Sequence, residues 1–460
     1  MEKTICELFA GVGGFRLGFE RLNSGWDTVW FSQWEPMIKS QWAHDCYIQH
    51  FGDSPDINGE YHTNEDISLI DKNTIPDHTL LVGGFPCQDY SVAQTLSTSK
   101  GIEGKKGVLW WQIVDVIAAK KPRFCIFENV DRLLKSPANQ RGRDFGIILS
   151  CFTKLGYDVE WRVVNSASYG SAQRRKRTFI FAYKQGTLYE KNTIGQLHEE
   201  IIEHGFMAKA FPIRDVLNYK SAAVSDDILD TSNNFRFEFE NAGVCTDGFI
   251  TTAKIVEKHE DVKTLGSIIE NNVDEKYYIP KDKLQKWRFL KGKKQIERIS
   301  KTGYSYVFSE GAIPFPDSLD RPGRTMLTSE ATLNRSSHVI RDPETNRLRV
   351  LTPVETERLQ GFDDNWTNTG MSDRVRYFCM GNALVVPMIT RMGRILDEII
   401  SQETKGGFIV EEGYKEVYFD EYCKSCKHKD LSEEDTPCDE CLNNPVNVYS
   451  HKPVKYEKKD

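Results

Sequence analysis

The feature that most constrains this chain is the alternation of short apolar runs with amphipathic stretches over residues 1–185. Five runs have the length and composition of buried strands: TICELFAG, TVWFSQW, HTLLVGGF, RFCIFENV and TFIFAY. Stretches with helical periodicity, such as 107–120, separate them. Because strands that alternate with helices fold into a sheet covered on both faces, this rhythm predicts a doubly wound parallel α/β sheet.

The rhythm changes twice along the 460 residues, which exceed the roughly 250 to 300 residues that one core usually holds. From about 186 to 325 the sequence is irregular, polar and rich in charge, which indicates a separate, smaller domain. The α/β pattern returns over 326–402 with LTPVETERLQGF and an apolar helix over 383–400, so the insert interrupts the first domain. Residues 403–460 are acidic and then cysteine-rich, and we expect them to form an appendage.

Charge and composition limit how the protein can bind nucleic acid and in which compartment it is expected. The formal net charge of −7 excludes a surface that is positive overall, so nucleic acid would have to meet local basic patches. The start MEKTICELFAG has neither a signal-peptide pattern nor a membrane span, and we expect a cytoplasmic monomer without membrane contact. In a reducing compartment the eleven cysteines would be free thiols or metal ligands.

The segment ELFAGVGGFRLGFE, residues 7–20, leads from an apolar strand through a glycine-rich turn into a helix. Glycines at 11, 13 and 14 permit positive φ and close approach of a ligand, and the helix start offers free amide donors. Arg16 stands where a dinucleotide-binding loop has its third glycine, which counts against a pyrophosphate ligand. Gln33 and Glu35 follow the next strand, where such folds bind ribose hydroxyls. A tight turn without a ligand and a solvated glutamate are the alternatives.

A cysteine and a glutamate follow two further strands. Cys87 comes after the run LLVGGF, on a loop stiffened by Pro86, and Glu128 comes after the apolar residues 124–127. A deprotonated thiol at a strand end can act as a nucleophile, and a buried carboxyl group can donate a proton or hold a substrate atom. A buried structural thiol and a salt-bridged or helix-capping glutamate are the alternatives.

Six elements in a fixed order resemble those of the DNA cytosine-5 methyltransferases. They are ELFAGVGGF, GGFPCQDYS, FENV, NSASYGSAQRRKR, LTPVETERLQGF and MGNALVVP, and together they cover 1–185 and 324–400. The resemblance implies a Rossmann-like class I fold that uses S-adenosylmethionine, with residues 186–325 as a target recognition domain for double-stranded DNA. It also implies methyl transfer to carbon 5 of a cytosine that is flipped out of its duplex.

The same resemblance assigns the chemistry. The Cys87 thiolate would add to carbon 6 of cytosine so that carbon 5 can attack the methyl group. Glu128 would hold ring nitrogen 3, and Arg175 and Arg177 would support the base and Glu128. A solvated charge run is the alternative interpretation of the basic segment RRKR.

The resemblance also implies the cofactor site, in which residue 33 is a departure because the family usually has Glu there. Either Gln33 or Glu35 would therefore bind the ribose. Asp66 and Ile67 would flank the adenine, and Leu109 would pack on it. The full set of expected cofactor residues is Phe9, Ala10, Gly11, Gly13, Gly14, Phe15, Gln33, Trp34, Glu35, Asp66, Ile67, Pro86, Leu109, Asn382 and Ala383.

Two further segments carry binding signals. Residues 281–301 hold nine Lys or Arg with Trp287 and Phe289 among them, which predicts contact with DNA phosphates, although a basic helix without a ligand is as common. Near the end, two Cys-x2-Cys pairs are separated by eleven residues, a spacing that suits four thiolates around a structural zinc ion. Redox-active or unpaired thiols are the alternative. The expected ligands are Cys423, Cys426, Cys438 and Cys441.

The resemblance further implies modification in a bacterial or phage restriction system, with a restriction endonuclease for the same site as a partner. Two other functions stay open from the sequence. The chain could be a transfer-RNA cytosine-5 methyltransferase, with the same reaction but another substrate, although the long insert favours recognition of duplex DNA. A non-catalytic DNA-binding regulator would keep the fold, although the intact Cys87, Glu128 and Arg175 argue against it.

Overall fold

A mixed sheet of nine strands is the largest element of the structure. The computed structural model describes residues 1–36, 38–85, 109–193, 195, 197–300, 303–405, 415–432, 435–442, 446–447 and 452–458. They belong to two compact units, Met1–Ile399 and Ile400–Asp460, and the sheet lies in the first. No described helix is both long enough and apolar enough to cross a membrane.

The regular elements are numbered here in chain order. The strands are β1 Thr4–Leu8, β2 Asp27–Ser32, β3 Leu80–Gly84, β4 Phe124–Val130, β5 Tyr157–Asn165, β6 Lys176–Lys184, β7 Ile213–Ala223, β8 Ala242–Thr246, β9 Phe249–Glu257, β10 Lys294–Ile299, β11 Ser305–Glu310, β12 Val339–Arg341, β13 Leu348–Val350, β14 Lys415–Glu416 and β15 Val446–Asn447. The helices are α1 Gly14–Glu20, α2 Trp42–Phe51, α3 Leu109–Lys120, α4 Arg143–Lys154, α5 Leu188–Thr193, α6 Leu197–Glu199, α7 Phe206–Ala210, α8 Ile228–Asn234, α9 Leu284–Lys291, α10 Pro353–Gln360, α11 Asp373–Asn382, α12 Val386–Lys405, α13 Phe419–Tyr422 and α14 Cys438–Leu442.

The strand order in the large sheet is β2-β1-β3-β4-β6-β5-β8-β9-β7. The first four strands are parallel, so their carboxyl ends open on one edge of the sheet. From β6 onward every pairing is antiparallel, and the prediction of a wholly parallel sheet was wrong there. All five strands predicted from apolar runs are present, as β1, β2, β3, β4 and β6.

Strand β5 was not predicted because charged residues alternate with apolar ones along it, although both sets are buried. The Glu160 carboxylate accepts a hydrogen bond from the Met207 amide at 2.9 Å, and the Arg162 guanidinium donates to the Phe211 carbonyl at 2.6 Å. Burial raises the pKa of Glu160 and lowers that of Arg162. The segment after β6 supplies these partners, so burying the charges of β5 depends on tertiary contacts.

Residues 186–257 extend the sheet, which corrects the expectation that a separate domain begins at 186. Val159 of β5 pairs with Cys245 of β8, and β9 then joins β8 to β7 at the edge. Backbone hydrogen bonds make these pairings, and a polar sequence can form them without an apolar run. Among the described residues, the part of the insert after β9 adds no strand to the large sheet.

The later part of the insert has a core of its own. Trp287 of α9 is buried against Ile279, Val339 and Val350. Trp287 was predicted to accompany the basic residues of a nucleic-acid surface, and its burial in this core rules that out, whereas Phe289 is 65% exposed. Trp287 thus lies on the apolar side of a short amphipathic helix, and of the two aromatic residues in the basic segment only Phe289 is exposed.

The segment after the insert packs on the glycine-rich turn and its helix. Thr390 of α12 donates to the Gly18 carbonyl at 2.9 Å, and a Cβ atom on Gly18 would lie 2.6 Å from Ile389. Leu17 and Val386 belong to the same buried cluster. The returning segment therefore shares a core with the glycine-rich turn and the first two helices.

A buried arginine joins β13 to α10. The Arg349 guanidinium pairs with Asp342 at 2.7 Å and with both carboxylate oxygens of Glu355 at 2.7 and 2.8 Å. All three side chains are almost completely buried. Glu355 also completes a capping box with Thr352 at the start of α10. Removal of the cation would leave two carboxylates buried without their partner.

We expect Arg349→Met to lower the free energy of unfolding by about 3 to 5 kcal/mol, because breaking a buried ion pair leaves an uncompensated charge. Arg347→Met is the matched control, since Arg347 forms an exposed pair with Glu275 and should change stability by less than about 1 kcal/mol. Urea denaturation followed by tryptophan fluorescence measures both. Equal effects of the two substitutions would contradict this interpretation.

Candidate active site

A carboxylate and a guanidinium group meet at the carboxyl end of β4. The Arg177 Nε atom lies 2.8 Å from Glu128 Oε1, and the two side chains are only 18% and 14% exposed. Arg177 reaches this position because β6 runs antiparallel to β4 and pairs Arg177 with Val130. Glu128 lies beside Gly84, the last residue of β3, whose added Cβ atom would be 3.9 Å from Glu128 Oε2. The ion pair therefore fixes the carboxylate at the strand edge where ligands bind.

Arg175 has a different role from its neighbour. Its guanidinium is buried and donates to the carbonyl oxygens of Met326 and Gly381, each at 3.2 Å. Burial, together with the nearby charge of Arg177, lowers the pKa of Arg175 to about 9. The sequence suggested that both arginines support the base and Glu128. In the structure Arg177 pairs with Glu128, and Arg175 also joins three segments of the chain.

Gln173 joins the same segments as Arg175, namely those around Met326 and Gly381, and it was not among the predicted site residues. We call these contacts of Gln173 and Arg175 the junction. Gln173 is completely buried, its Oε1 accepts from the Met326 amide at 2.9 Å, and its Nε2 donates to Gln360 Oε1 at 3.2 Å. Gln360 in turn donates to the Met380 carbonyl at 2.7 Å. The glutamine of the element NSASYGSAQRRKR was the available signal, but a sequence does not show which distant segments a buried amide joins.

Asn129 is a second buried residue of the site that was not predicted from the sequence. Its side-chain Nδ2 donates to the Phe85 carbonyl at 2.9 Å, and the residue is 1% exposed. Phe85 is the last described residue before the segment that carries Pro86 and Cys87, both of which lie outside the described residues. The residue after Glu128 thus holds the start of the predicted nucleophile loop, next to the Glu128 carboxylate.

We expect Asn129→Ala to lower kcat for methyl transfer by about 10- to 100-fold, because a displacement of roughly 1 Å in a reacting group can have that effect. Cofactor affinity should stay within about twofold, since Asn129 is not among the expected cofactor residues. Steady-state kinetics and calorimetric titration with S-adenosylmethionine separate the two effects. A rise in the cofactor Kd with kcat unchanged would contradict a positioning role.

The glycine-rich turn is shaped for close approach. Phe9, Gly11 and Gly13 all have positive φ, at 56°, 58° and 84°. A Cβ atom on Gly13 would lie 2.4 Å from Phe51, so packing against α2 requires glycine there. A Cβ atom on Gly11 would meet nothing within 4 Å, so Gly11 faces open space that a ligand could occupy.

The structure separates the two candidate ribose ligands. Gln33 is buried, and its Oε1 accepts a hydrogen bond from the Gly11 amide at 2.7 Å, so this oxygen supports the turn. Glu35 is partly exposed, and burial raises its pKa. Its carboxylate forms no hydrogen bond or ion pair within the described ranges. Trp34, between them, is 39% exposed. Of the two candidates, Glu35 is the one whose side-chain oxygens are not already used by a neighbour within the described ranges.

The other expected cofactor residues are spread over several elements. Asp66 accepts from the Ser68 amide at 2.9 Å and begins a short 3-10 turn in which Ile67 is buried. Leu109 begins α3 and is partly buried. Asn382 ends α11 and is exposed, and Ala383 follows it. Buried and turn-forming roles account for Ala10, Gly14 and Phe15.

The four clustered cysteines belong to the second unit. There β14 pairs with β15, and the backbone of Cys426 forms an isolated antiparallel β-bridge with that of Lys458. Burial and then the charges of the other three cysteines raise the pKa of the Cys423 thiol. The Lys455 amide donates to Cys441 Sγ at 3.3 Å. Even so, across the described ranges no three or more His, Cys, Asp or Glu side chains are arranged to hold a metal ion, so the structure does not support the expected zinc site.

The open glycine turn, the carboxylate after β2 and the Glu–Arg pair near the end of β4 together form a candidate ligand site at the carboxyl edge of an α/β sheet. A family model described as C-5 cytosine-specific DNA methylase matches residues 3–398, and the chain belongs to this family. The predicted family is thereby confirmed. Residues after 398 lie outside the match.

Relatives and solved structures agree with this assignment. The chain is 50% identical over 406 residues to the type II methyltransferase M.Sau3AI of Staphylococcus aureus, covering 86% of this chain and 96% of that protein. It is 27% identical over 398 residues to the type II methyltransferase M.SsoII of Shigella sonnei, covering 86% and 80%. The fold is shared with the Entamoeba histolytica methyltransferase EhMeth (TM-score 0.50, 16% identity) and with S. pombe Dnmt2 (TM-score 0.52, 16% identity); each match covers 87% of this chain and 99% of the other.

Proposed function

We propose that this enzyme is the modification methyltransferase of a type II restriction system and methylates carbon 5 of one cytosine within a specific double-stranded DNA site. The observation that carries the proposal is the Glu128–Arg177 pair at the end of β4, beside the strand whose continuation carries Cys87. The 50% identity to a type II methyltransferase over most of both chains supports the biological setting. A restriction endonuclease for the same site would be the functional partner.

In this proposal each side chain of the site has its own role in the reaction. The Cys87 thiolate adds to carbon 6 of the flipped cytosine, and Glu128, in its protonated form, donates a hydrogen bond to ring nitrogen 3 and stabilises the charge that develops there. Arg177 keeps the Glu128 carboxyl group in place during this step. After the methyl group has moved to carbon 5, a base removes the carbon 5 proton and Cys87 leaves.

S-adenosylmethionine supplies the methyl group when bound, and the described residues fit its nucleoside part. Gly11 faces open space, Glu35 offers an acceptor to ribose hydroxyls, and Trp34 presents an exposed ring. The parallel part of the sheet agrees with a ligand at the carboxyl ends of β1 and β2.

We expect Cys87→Ser to reduce methyl transfer by more than about a thousandfold, because the covalent route is lost. Glu128→Gln should reduce it by about 100- to 1,000-fold. The measurement is transfer of labelled methyl groups to mixed duplex DNA, followed by sequencing of the methylated cytosines. Cys245→Ala, at a buried thiol of β8, is the control that should keep full activity.

With transfer RNA offered as a second substrate and DNA binding measured alongside, three results would contradict the proposal. Label on transfer RNA in place of DNA would make the enzyme an RNA methyltransferase. Tight DNA binding by the wild type without methyl transfer would make the chain a non-catalytic regulator. Methylation without any recurring sequence around the cytosine would remove the link to a restriction system.

We further propose that the second unit takes up zinc through Cys423, Cys426, Cys438 and Cys441 and closes around it. Two Cys-x2-Cys pairs separated by eleven residues supply the four thiolates that zinc prefers, and the backbone donor at Cys441 suits a thiolate. A short polar segment has little apolar core, so the free energy of metal binding would stabilise its fold.

We expect the purified full chain to contain one zinc ion, and Cys426→Ser together with Cys441→Ser to lower the content to near zero. Elemental analysis after gel filtration measures this, with Cys245→Ala as the control that keeps its zinc. A zinc-free wild type that cannot be reloaded with zinc would refute the proposal. Methylation activity is a separate readout and does not decide it.

A further inference from the structure

The hairpin of β10 and β11 forms a two-stranded sheet of its own, with Lys294 opposite Glu310 and Ile299 opposite Ser305. Most residues of both strands are exposed. A two-stranded hairpin is at best marginally stable by itself in water. Its conformation therefore depends on how it is anchored, and its exposed surface is available to a partner.

One side chain holds both ends of this hairpin. The Arg335 guanidinium donates to the carbonyl oxygens of Leu290 and Gly292, just before β10, at 3.1 and 3.3 Å. It also donates to the carbonyl of Gly311, directly after β11. The direction in which the hairpin leaves the core is thus fixed while the strands themselves stay uncovered.

The two faces of the hairpin differ, because successive residues of a strand point to opposite sides. On one face the side chains pair with one another: Lys294 with Glu310 at 3.4 Å, and the Arg298 guanidinium 4.0 Å from the centre of the Phe308 ring. On the other, the outer face, the polar side chains form no hydrogen bond or ion pair within the part of the chain that the structure describes. The outer face consists of Gln295, Glu297, Ile299, Ser305, Val307 and Ser309.

The outer face combines unpaired polar groups with apolar side chains. Ile299 is 75% exposed and Val307 is 59% exposed, between Gln295, Glu297 and Ser309. Amide, carboxylate and hydroxyl groups match the donors and acceptors on base edges, and aliphatic groups match the thymine methyl. The major groove of B-DNA, about 12 Å wide, admits a two-stranded ribbon.

The charge next to the hairpin also favours DNA. The helix α9 and the turns on either side of it carry exposed cations that would meet phosphates and set the position of the hairpin in the groove. These are Lys281, Lys283, Lys286, Arg288 and Lys293. Lys291 is the exception, because it is buried and donates to the Ser337 carbonyl.

We propose that the outer face of the β10–β11 hairpin enters the major groove of the target site and reads its bases, with Gln295 and Glu297 as specificity-determining residues. The proposal rests on the proposed function, since it concerns the DNA of that same reaction. The Gln295 amide can pair with N6 and N7 of adenine, and the Glu297 carboxylate can accept from N4 of cytosine. Ile299 and Val307 suit the methyl group of thymine.

The test uses the full-length enzyme, the target site found for the wild type, and duplexes with each single base-pair change in that site. Gln295→Ala and Glu297→Ala are compared with Gln285→Ala, an exposed glutamine of α9 that serves as the matched control. All three side chains are exposed, so folding is not at risk. The readout is kcat/KM on the target site relative to each altered site, with S-adenosylmethionine affinity measured alongside.

We expect each hairpin variant to lose about 10- to 100-fold of its discrimination at one base pair, the effect of removing a direct base contact. The control and the cofactor affinity should not change. An equal loss on every sequence would show phosphate contact only, and unchanged discrimination would place base reading elsewhere; either overturns the proposal. Failure of the proposed function would appear differently, as a wild type that methylates no specific DNA site.

Discussion

The arrangement of the first unit depends on the buried hydrogen bonds that Gln173 and Arg175 form with the chain that returns after the insert. Gln173 accepts from the Met326 amide, and Arg175 donates to the carbonyls of Met326 and Gly381. Hydrogen bonds from the two terminal nitrogens of the Arg175 guanidinium offset part of the cost of burying it, so these contacts favour one position of the returning segment. The same contacts hold the start of β6, and through it the residue that pairs with Glu128.

That junction lies next to the border between the parallel and antiparallel parts of the sheet, where β6 pairs with β4. Because β6 runs against β4, its first residues come to the carboxyl end of β4, and Arg177 meets Glu128 there. A parallel strand in this place would bring its last residues to the same edge instead. The reversal of one strand thus places a cation of the sequence element RRKR at the edge where the parallel strands present their ligand-binding residues.

Polar side chains have different environments in the candidate active site and on the β10–β11 hairpin. Around the candidate active site, polar groups are buried and paired, as in the contacts of Asn129 with Phe85 and of Gln33 with Gly11. On the β10–β11 hairpin the polar groups of the outer face are exposed, while Arg335 holds the hairpin at its base. A catalytic site needs fixed geometry, whereas a base-reading surface needs hydrogen-bonding groups that no neighbour has already used.

The sequence by itself determined the family, the five strands with apolar runs and the positions of Glu128 and Arg177, because these follow from local periodicity and from short contiguous elements. It did not determine β5, β7, β8 or β9, nor that Trp287 is buried, nor which of Gln33 and Glu35 is available to a ligand. In each of these cases the deciding partner is distant in the chain: the Gly11 amide for Gln33, the Phe211 carbonyl for Arg162 in β5, and Val339 for Trp287. Whether a polar side chain is buried, paired or available is a property of its neighbours in space, and only the tertiary structure brings those neighbours together.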